Sequence, residues 1–200
     1  MAYFPMFMEL KGKKCLVIGG GSVAYRKIKT LLEYEIEIIV IASDFLAQIK
    51  ELEQKNKERI SCITKEISSM EELKGYHLKK EEIAFIICAT NKKGVNQRIA
   101  CWCRENGIPV NVVDQKELCT FLFPAVVKKG DVSVGITTSG VSPVASSYLR
   151  ECIEEIVDDN FLEFLEEIGE YRTWLKDNVE REEERREKLR QKMEDWKQRR

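Results

Sequence analysis

Apolar positions in the first half of the chain fall in short solid runs, separated by stretches with helical spacing. Residues 14–19 (KCLVIG) and 37–42 (EIIVIA) carry apolar side chains at consecutive positions rather than at every second one. Such runs suit strands covered on both faces, as in a parallel sheet. Residues 83–89 (IAFIICA) and 110–113 (VNVV) repeat the pattern, and residues 60–63 repeat it more weakly. Between them, residues 22–33 space Val23, Ile28, Leu31 and Leu32 as one helical face. Leu46, Ile49 and Leu52 form a second face, with Asp44 as its cap. Residues 95–106 form a third helix, and Gly107 stands where a left-handed residue ends one. This alternation predicts βαβ units and an α/β fold of the Rossmann type, a doubly wound parallel sheet.

The pattern changes after Asp114. Residues 118–127 and 132–138 read as extended, punctuated by Pro124 and Gly130, with no helix between them. They are expected to leave the parallel sheet. Ser142-Pro143 is a helix start, serine as cap and proline in the first turn, for a helix running to about residue 157. Residues 161–200 read as helical throughout, with Phe161, Leu165, Ile168, Leu175 and Val179 on one stripe. Beyond Glu180 the apolar residues are Leu189, Met193 and Trp196, among pairs such as Glu182/Arg186 and Glu184/Lys188 that support a solvated helix. That segment is either a surface tail or a helix that contacts a partner. The expected division is 1–113 for the Rossmann domain, 114–147 for a small α+β segment and 148–200 for a C-terminal helical region with a charged tail.

Composition narrows the function classes. The formal net charge of -1 gives no basis for nucleic-acid or membrane-surface binding. No apolar run approaches the roughly 20 residues that cross a bilayer. The 7 cysteines are an odd number and scattered, and residues 1–10 are too mixed for a secretory leader. Reduced thiols and a cytoplasmic location are the expectation.

The candidate chemistry begins at Gly19-Gly20-Gly21-Ser22-Val23-Ala24. This G-x-G-x-x-A turn lies between a predicted strand and a predicted helix, the context that dinucleotide binding requires. Gly19 permits the tight turn, Gly21 lets a diphosphate approach the backbone, and Ala24 lets the helix lie close to the sheet. The free N–H groups at the helix start then face the phosphates. Ser43 and Asp44 stand near the expected ribose-binding position, Asp44 one residue late and open to the alternative of capping a helix. No Lys or Arg follows Ser43 directly, so NAD is favoured over NADP. Thr90 and Asn91, after the fourth strand, are candidate ribose or nicotinamide contacts, or turn formers. Asp114 ends the fifth strand on the ligand side and is either a functional carboxylate or a turn cap. No metal ligand set emerges. His77 sits in a polar surface stretch, and Cys101 and Cys103 cannot face one point from a helix, so buried thiols are the reading there.

Further blocks add specificity: Phe4-Pro5-Met6-Phe7, Leu10-Lys11-Gly12-Lys13, Ala89-Thr90-Asn91, Val110-Asn111-Val112-Val113-Asp114, Phe121-Leu122-Phe123-Pro124-Ala125 and Thr138-Ser139-Gly140-Val141-Ser142-Pro143-Val144. In this order with the glycine turn, they make the chain resemble the precorrin-2 dehydrogenases, the family that includes the N-terminal part of siroheme synthase. The resemblance spans roughly residues 3–150. It implies NAD-dependent dehydrogenation of precorrin-2, a tetrapyrrole, to sirohydrochlorin, with Asp114 catalytic. It carries the NAD contacts onto Ser22, Val23, Ser43 and Asp44. It implies a homodimer through residues 114–147. Some members also insert ferrous or cobaltous ion into the product as ferrochelatases, and Asp114 would serve there too. An eight-carboxylate substrate calls for a basic rim, for which Arg26, Lys27, Lys92, Lys128, Lys129 and Arg150 are candidates. The N–H groups at Ser142-Pro143-Val144 are a candidate anion site. The competing class is a non-catalytic NAD(H)-sensing module acting through a partner protein, which has no need of Asp114.

Overall fold

The solid apolar runs become the strands of one sheet. β1 (Lys13–Ile18), β2 (Ile36–Ala42), β3 (Ile60–Thr64), β4 (Ile83–Cys88) and β5 (Val110–Val112) pair in parallel, in the order β3-β2-β1-β4-β5. The computed structural model describes residues 3–72 and 79–199, so His77 lies outside the described residues. The chain divides into two compact units, 1–124 and 125–200.

In the first unit, α1 (Ser22–Leu31), α2 (Ala47–Lys55) and α3 (Lys93–Glu105) cover the sheet. Alternate residues of each strand feed opposite faces. Cys15 and Val17 of β1 join Ala24, Ile28 and Ile49 on the side of α1 and α2. Leu16 and Ile18 join Ile99, Ala100 and Cys103 on the side of α3. Both faces are apolar, which is why these strands read as solid rather than alternating runs. Strand order reverses between β1 and β4, so the loops after these two strands part at the same edge and leave a crevice.

Asp44 does not cap α2. That helix begins at Ala47, with Leu46 at its cap and no side-chain cap bond. The N–H of Leu46 donates to Gly20 O at 2.9 Å, a long-range bond that sets where the helix starts. Asp44 is left exposed before it. The other helix ends follow the sequence: Gly107 has φ +67 after α3, and the Ser142 hydroxyl accepts from Ala145 N at 3.1 Å at the start of α4 (Pro143–Ile156).

In the second unit, β6 (Ala125–Lys129) and β7 (Val132–Ile136) form an antiparallel hairpin apart from the main sheet. The expected continuous C-terminal helix is two helices, α5 (Asp159–Asn178) and α6 (Glu182–Arg199). The charged helix packs back on α5. Trp196 stacks on Phe164 at 4.8 Å between ring centroids and meets Phe161 edge-on at 5.7 Å. Lys192 Nζ reaches Glu167 at 2.6 Å. Three aromatic rings make this packing, which the charge-rich sequence obscured. Among the described residues, no helix is long and apolar enough to cross a membrane.

Cys103 is buried while Cys101 is exposed, so the buried-thiol reading holds for only one of the pair. Burial pushes the Cys103 and Cys62 thiols up to about 12, and moves Cys15 and Cys88 in the same direction. A thiol whose folded pKa is raised contributes stability that is complete below its unfolded value and lost as pH rises above it. The denaturant midpoint is therefore expected to fall on raising the pH from about 8 to about 10.5. Cys103→Ala should flatten that slope; an equal slope in wild type and variant would count against the buried thiol.

Candidate functional site

The turn after β1 is held from both sides. Gly19 N–H donates to Ile41 O at 2.8 Å, and Ala89 N–H donates to Ile18 O at 2.7 Å. Gly19 has φ +126, and a Cβ there would lie 2.4 Å from Ala89 O. A Cβ on Gly20 would lie 2.1 Å from Asp44 O, so the middle glycine is as constrained as the first. Motif counting passes over Gly20, because its constraint comes from a loop distant in sequence.

Gly21 differs. A Cβ there would meet nothing within 4 Å, and the residue is exposed. It is the N-cap of α1, with φ -87 and ψ -173, no side-chain cap bond and no acidic residue in the first turn. Tyr25 N–H donates to Gly21 O at 3.0 Å. The N–H groups of Ser22, Val23 and Ala24 precede that ladder and carry the positive end of the helix dipole. Ala24 is fully buried, which seats α1 against the sheet as expected. A cradle that is open at Gly21 and uncapped at the helix start fits a diphosphate.

The turn opens into a cleft of ≈ 260 Å³. Gly19, Gly20 and Gly21 line one wall, Ser43 and Asp44 the end of β2, and Thr90, Asn91 and Lys92 the loop after β4. Three loops thus bring together most of the residues that the sequence singled out. Ser22, Val23 and Ala24 stand beside this lining rather than within it. The cleft also draws on Val95 of α3 and on Lys65 and Glu66, which sequence reasoning missed because the loop after β3 carries no motif. Lys65 N–H donates to Ala42 O at 2.9 Å and its ammonium to Glu72 O at 2.8 Å. Glu66 and Lys92 form an ion pair between the loops after β3 and β4.

Thr90 shapes the turn after β4 and also lines the cleft. Its hydroxyl is 2.6 Å from Asn96 Oδ1 and accepts from Lys92 N at 3.2 Å, while the residue lines the cleft. Asn96 is buried, and its amide donates back to Thr90 O at 3.0 Å, fixing the loop. Asn91 is exposed at the cleft.

Asp114 is exposed, has φ +59 and does not line this cleft. It stands at the next station along the same sheet edge. Cys88 of β4 pairs with Val112 of β5, so Thr90 and Asp114 each lie two residues beyond paired strand ends. Of the basic-rim candidates, Lys92 pairs with Glu66 and Arg150 with Glu154. Lys128 donates to Gly130 O, and Lys129 donates to Glu154 O and Val157 O at 2.8 and 2.7 Å. Lys27 turns inward to Asn111.

Residues 6–125 match the family described as "Putative NAD(P)-binding". The chain is 38% identical over 161 residues to the siroheme synthase of Methylococcus capsulatus, covering 80% of this chain and 32% of that one. It is 33% identical over 186 residues to the siroheme synthase of Vesicomyosocius okutanii, covering 93% and 38%. The chain thus spans between 32% and 38% of the length of these curated relatives. Among solved structures it is similar to "SirC, precorrin-2 dehydrogenase", at TM-score 0.69 and 26% identity, covering 94% of this chain and 88% of that one.

The two neighbouring glycines separate folding from binding. Gly20→Ala is expected to lower Tm by about 4 °C or more, because a backbone oxygen occupies the space of the new methyl. Gly21→Ala should leave Tm within about 2 °C and weaken NAD+ binding about tenfold. Thermal unfolding and NAD+ titration of the two variants check both; equal loss of Tm in each would refute the distinction.

Proposed function

The chain belongs to the NAD(P)-binding family matched over residues 6–125, which it shares with the N-terminal part of the siroheme synthases, and on that premise we propose that it is an NAD-dependent precorrin-2 dehydrogenase. The observation that carries this reading is the placement of Asp114, an exposed carboxylate beside the cofactor cleft on the ligand edge of the sheet. The likeness to the precorrin-2 dehydrogenase structure over 94% of the chain supports the choice of substrate.

Dehydrogenation removes two electrons and two hydrogens from precorrin-2 and gives sirohydrochlorin, NADH and a proton. NAD+, when bound, supplies the hydride acceptor. The N–H groups of Ser22, Val23 and Ala24 hold the diphosphate at the open face of Gly21. Ser43 and Asp44 take the ribose hydroxyls. Asp44 favours NAD over NADP, since a 2′-phosphate beside its carboxylate is repelled. Thr90 and Asn91 line the cleft and would contact the ribose or the nicotinamide. Asp114 accepts the proton that leaves as the substrate is oxidised.

The assembly we propose is a homodimer in the cytoplasm. Supporting it, α4 has no buried residue, and its Val144, Tyr148, Leu149 and Ile156 are exposed large apolar side chains. A second copy of the chain would cover them.

An anaerobic assay of the protein with precorrin-2 and NAD+, followed by the absorbance of sirohydrochlorin and NADH, tests the reading. No product from folded, NAD-binding protein defeats it. Added ferrous or cobaltous ion reads any chelatase step in the same cuvette. Asp114→Asn is expected to lower kcat about 100-fold and leave the NAD+ affinity unchanged. Undiminished turnover in that variant would remove Asp114 from the chemistry.

A further inference from the structure

Lys27 is an anomaly that cofactor binding does not use. It sits in the middle of α1, and its ammonium lies 4.1 Å from the centroid of the Phe123 ring. The charged or titratable groups that act on it are the thiols of Cys15 on β1 and Cys119 beyond β5, and Arg26 on its own helix; no carboxylate is among them. Burial lowers its pKa to about 8. An apolar side chain would fill the same space without desolvating a charge. A lysine there needs another reason.

That reason lies in its side-chain hydrogen bond to Asn111. Lys27 Nζ donates to Asn111 Oδ1 at 3.0 Å. A protonated lysine only donates, so the amide atom facing it must be the oxygen. The orientation of the buried Asn111 amide is thereby fixed, and its NH2 group points the other way. There it donates to Phe121 O at 3.2 Å and faces Cys119 Sγ at 3.7 Å. Cys119 Sγ in turn accepts from Val112 N at 3.1 Å and lies 3.2 Å from Val112 O and 3.5 Å from Gln115 O. Thr120 completes the closure: Val110 N donates to its hydroxyl at 2.8 Å, and its own N–H donates to Val110 O at 2.9 Å.

Residues 113–118 are therefore a loop whose two ends are stitched together at Val112 and Cys119. Asp114 lies inside it with φ +59, a left-handed conformation that Asp tolerates better than most residues and that the closed loop holds. We propose that Lys27 is a positioning residue, which holds the Asp114 loop in its working geometry through Asn111 and Cys119. The proposal rests on the dehydrogenase reading above, and nothing in the cofactor cleft takes part in it.

The test compares wild type, Lys27→Met, Lys27→Arg and Asp114→Asn as full chains. Kinetics use precorrin-2 and saturating NAD+, and amide hydrogen exchange is read over residues 113–118. Lys27→Met is expected to lower kcat about tenfold with the KM for NAD+ within about twofold, and to speed exchange in that loop. Lys27→Arg keeps the charge and the donor and is expected to recover most of kcat. Deprotonation of Lys27 frees the amide to turn, so wild-type kcat should decline above about pH 8 and Lys27→Arg should lack that limb. Unchanged kcat and exchange in Lys27→Met, while Asp114→Asn loses turnover, overturns the positioning role and leaves the dehydrogenase reading standing. Full turnover in Asp114→Asn overturns both. If Lys27→Met loses its cooperative unfolding transition, the pH profiles decide: the same alkaline limb in wild type and Lys27→Arg overturns the proposal.

Discussion

The close approach of backbone to backbone at Gly19 and Gly20 governs the cofactor edge of the first unit. The turn after β1 is wedged between the chain leaving β2 and the chain leaving β4. Added Cβ atoms would lie 2.1 and 2.4 Å from carbonyl oxygens on either side. Hydrogen bonds from Gly19 to Ile41 and from Leu46 to Gly20 lock the same contact. Because Leu46 is held there, α2 starts at Ala47 and Asp44 remains exposed at the cleft. Because Ala89 is held there, Thr90 and Asn91 open toward the same space. One steric constraint thus positions three loops, and Gly21, just outside it, remains open.

Much of this was legible in the sequence where local pattern and tertiary structure agree. The five parallel strands were visible because burial on both faces leaves solid apolar runs. The glycine turn was visible because strand, turn and helix are contiguous. Gly20 was not, since the atom it avoids belongs to Asp44, twenty-four residues further on. Asp44 itself was open to reading as a cap, because the bond that displaces the helix start is long-range. The break between α5 and α6 was hidden for a different reason. Charged helix formers continue past it, and only Trp196 among them betrays a packed face. Lys27 read as a candidate for a basic substrate rim; its inward turn depends on Asn111, eighty-four residues away.

β5 shows how the edge of the sheet is managed. It pairs with β4 on one side only, and an open strand edge invites pairing with other chains. Here the returning chain covers it with side chains. The Thr120 hydroxyl and the Cys119 thiol meet backbone groups of Val110 and Val112 that a further strand would otherwise satisfy. The cover needs no sixth strand, and it obliges the residues between to form a short closed loop. The carboxylate beside the cleft is carried on that loop.

Such a loop restricts what its residues can be. At φ +59 a branched or bulky side chain is strongly disfavoured, whereas Asp and Asn are tolerated because their short side chains fit the left-handed region. Of the two, only aspartate can accept a proton at neutral pH. Glutamate would bring the acid but fits this backbone less well, and glycine would bring the backbone without the acid. In the proposed dehydrogenase, backbone geometry and proton transfer would therefore select the same residue at position 114. The stitching of β5 is what makes the two demands coincide there.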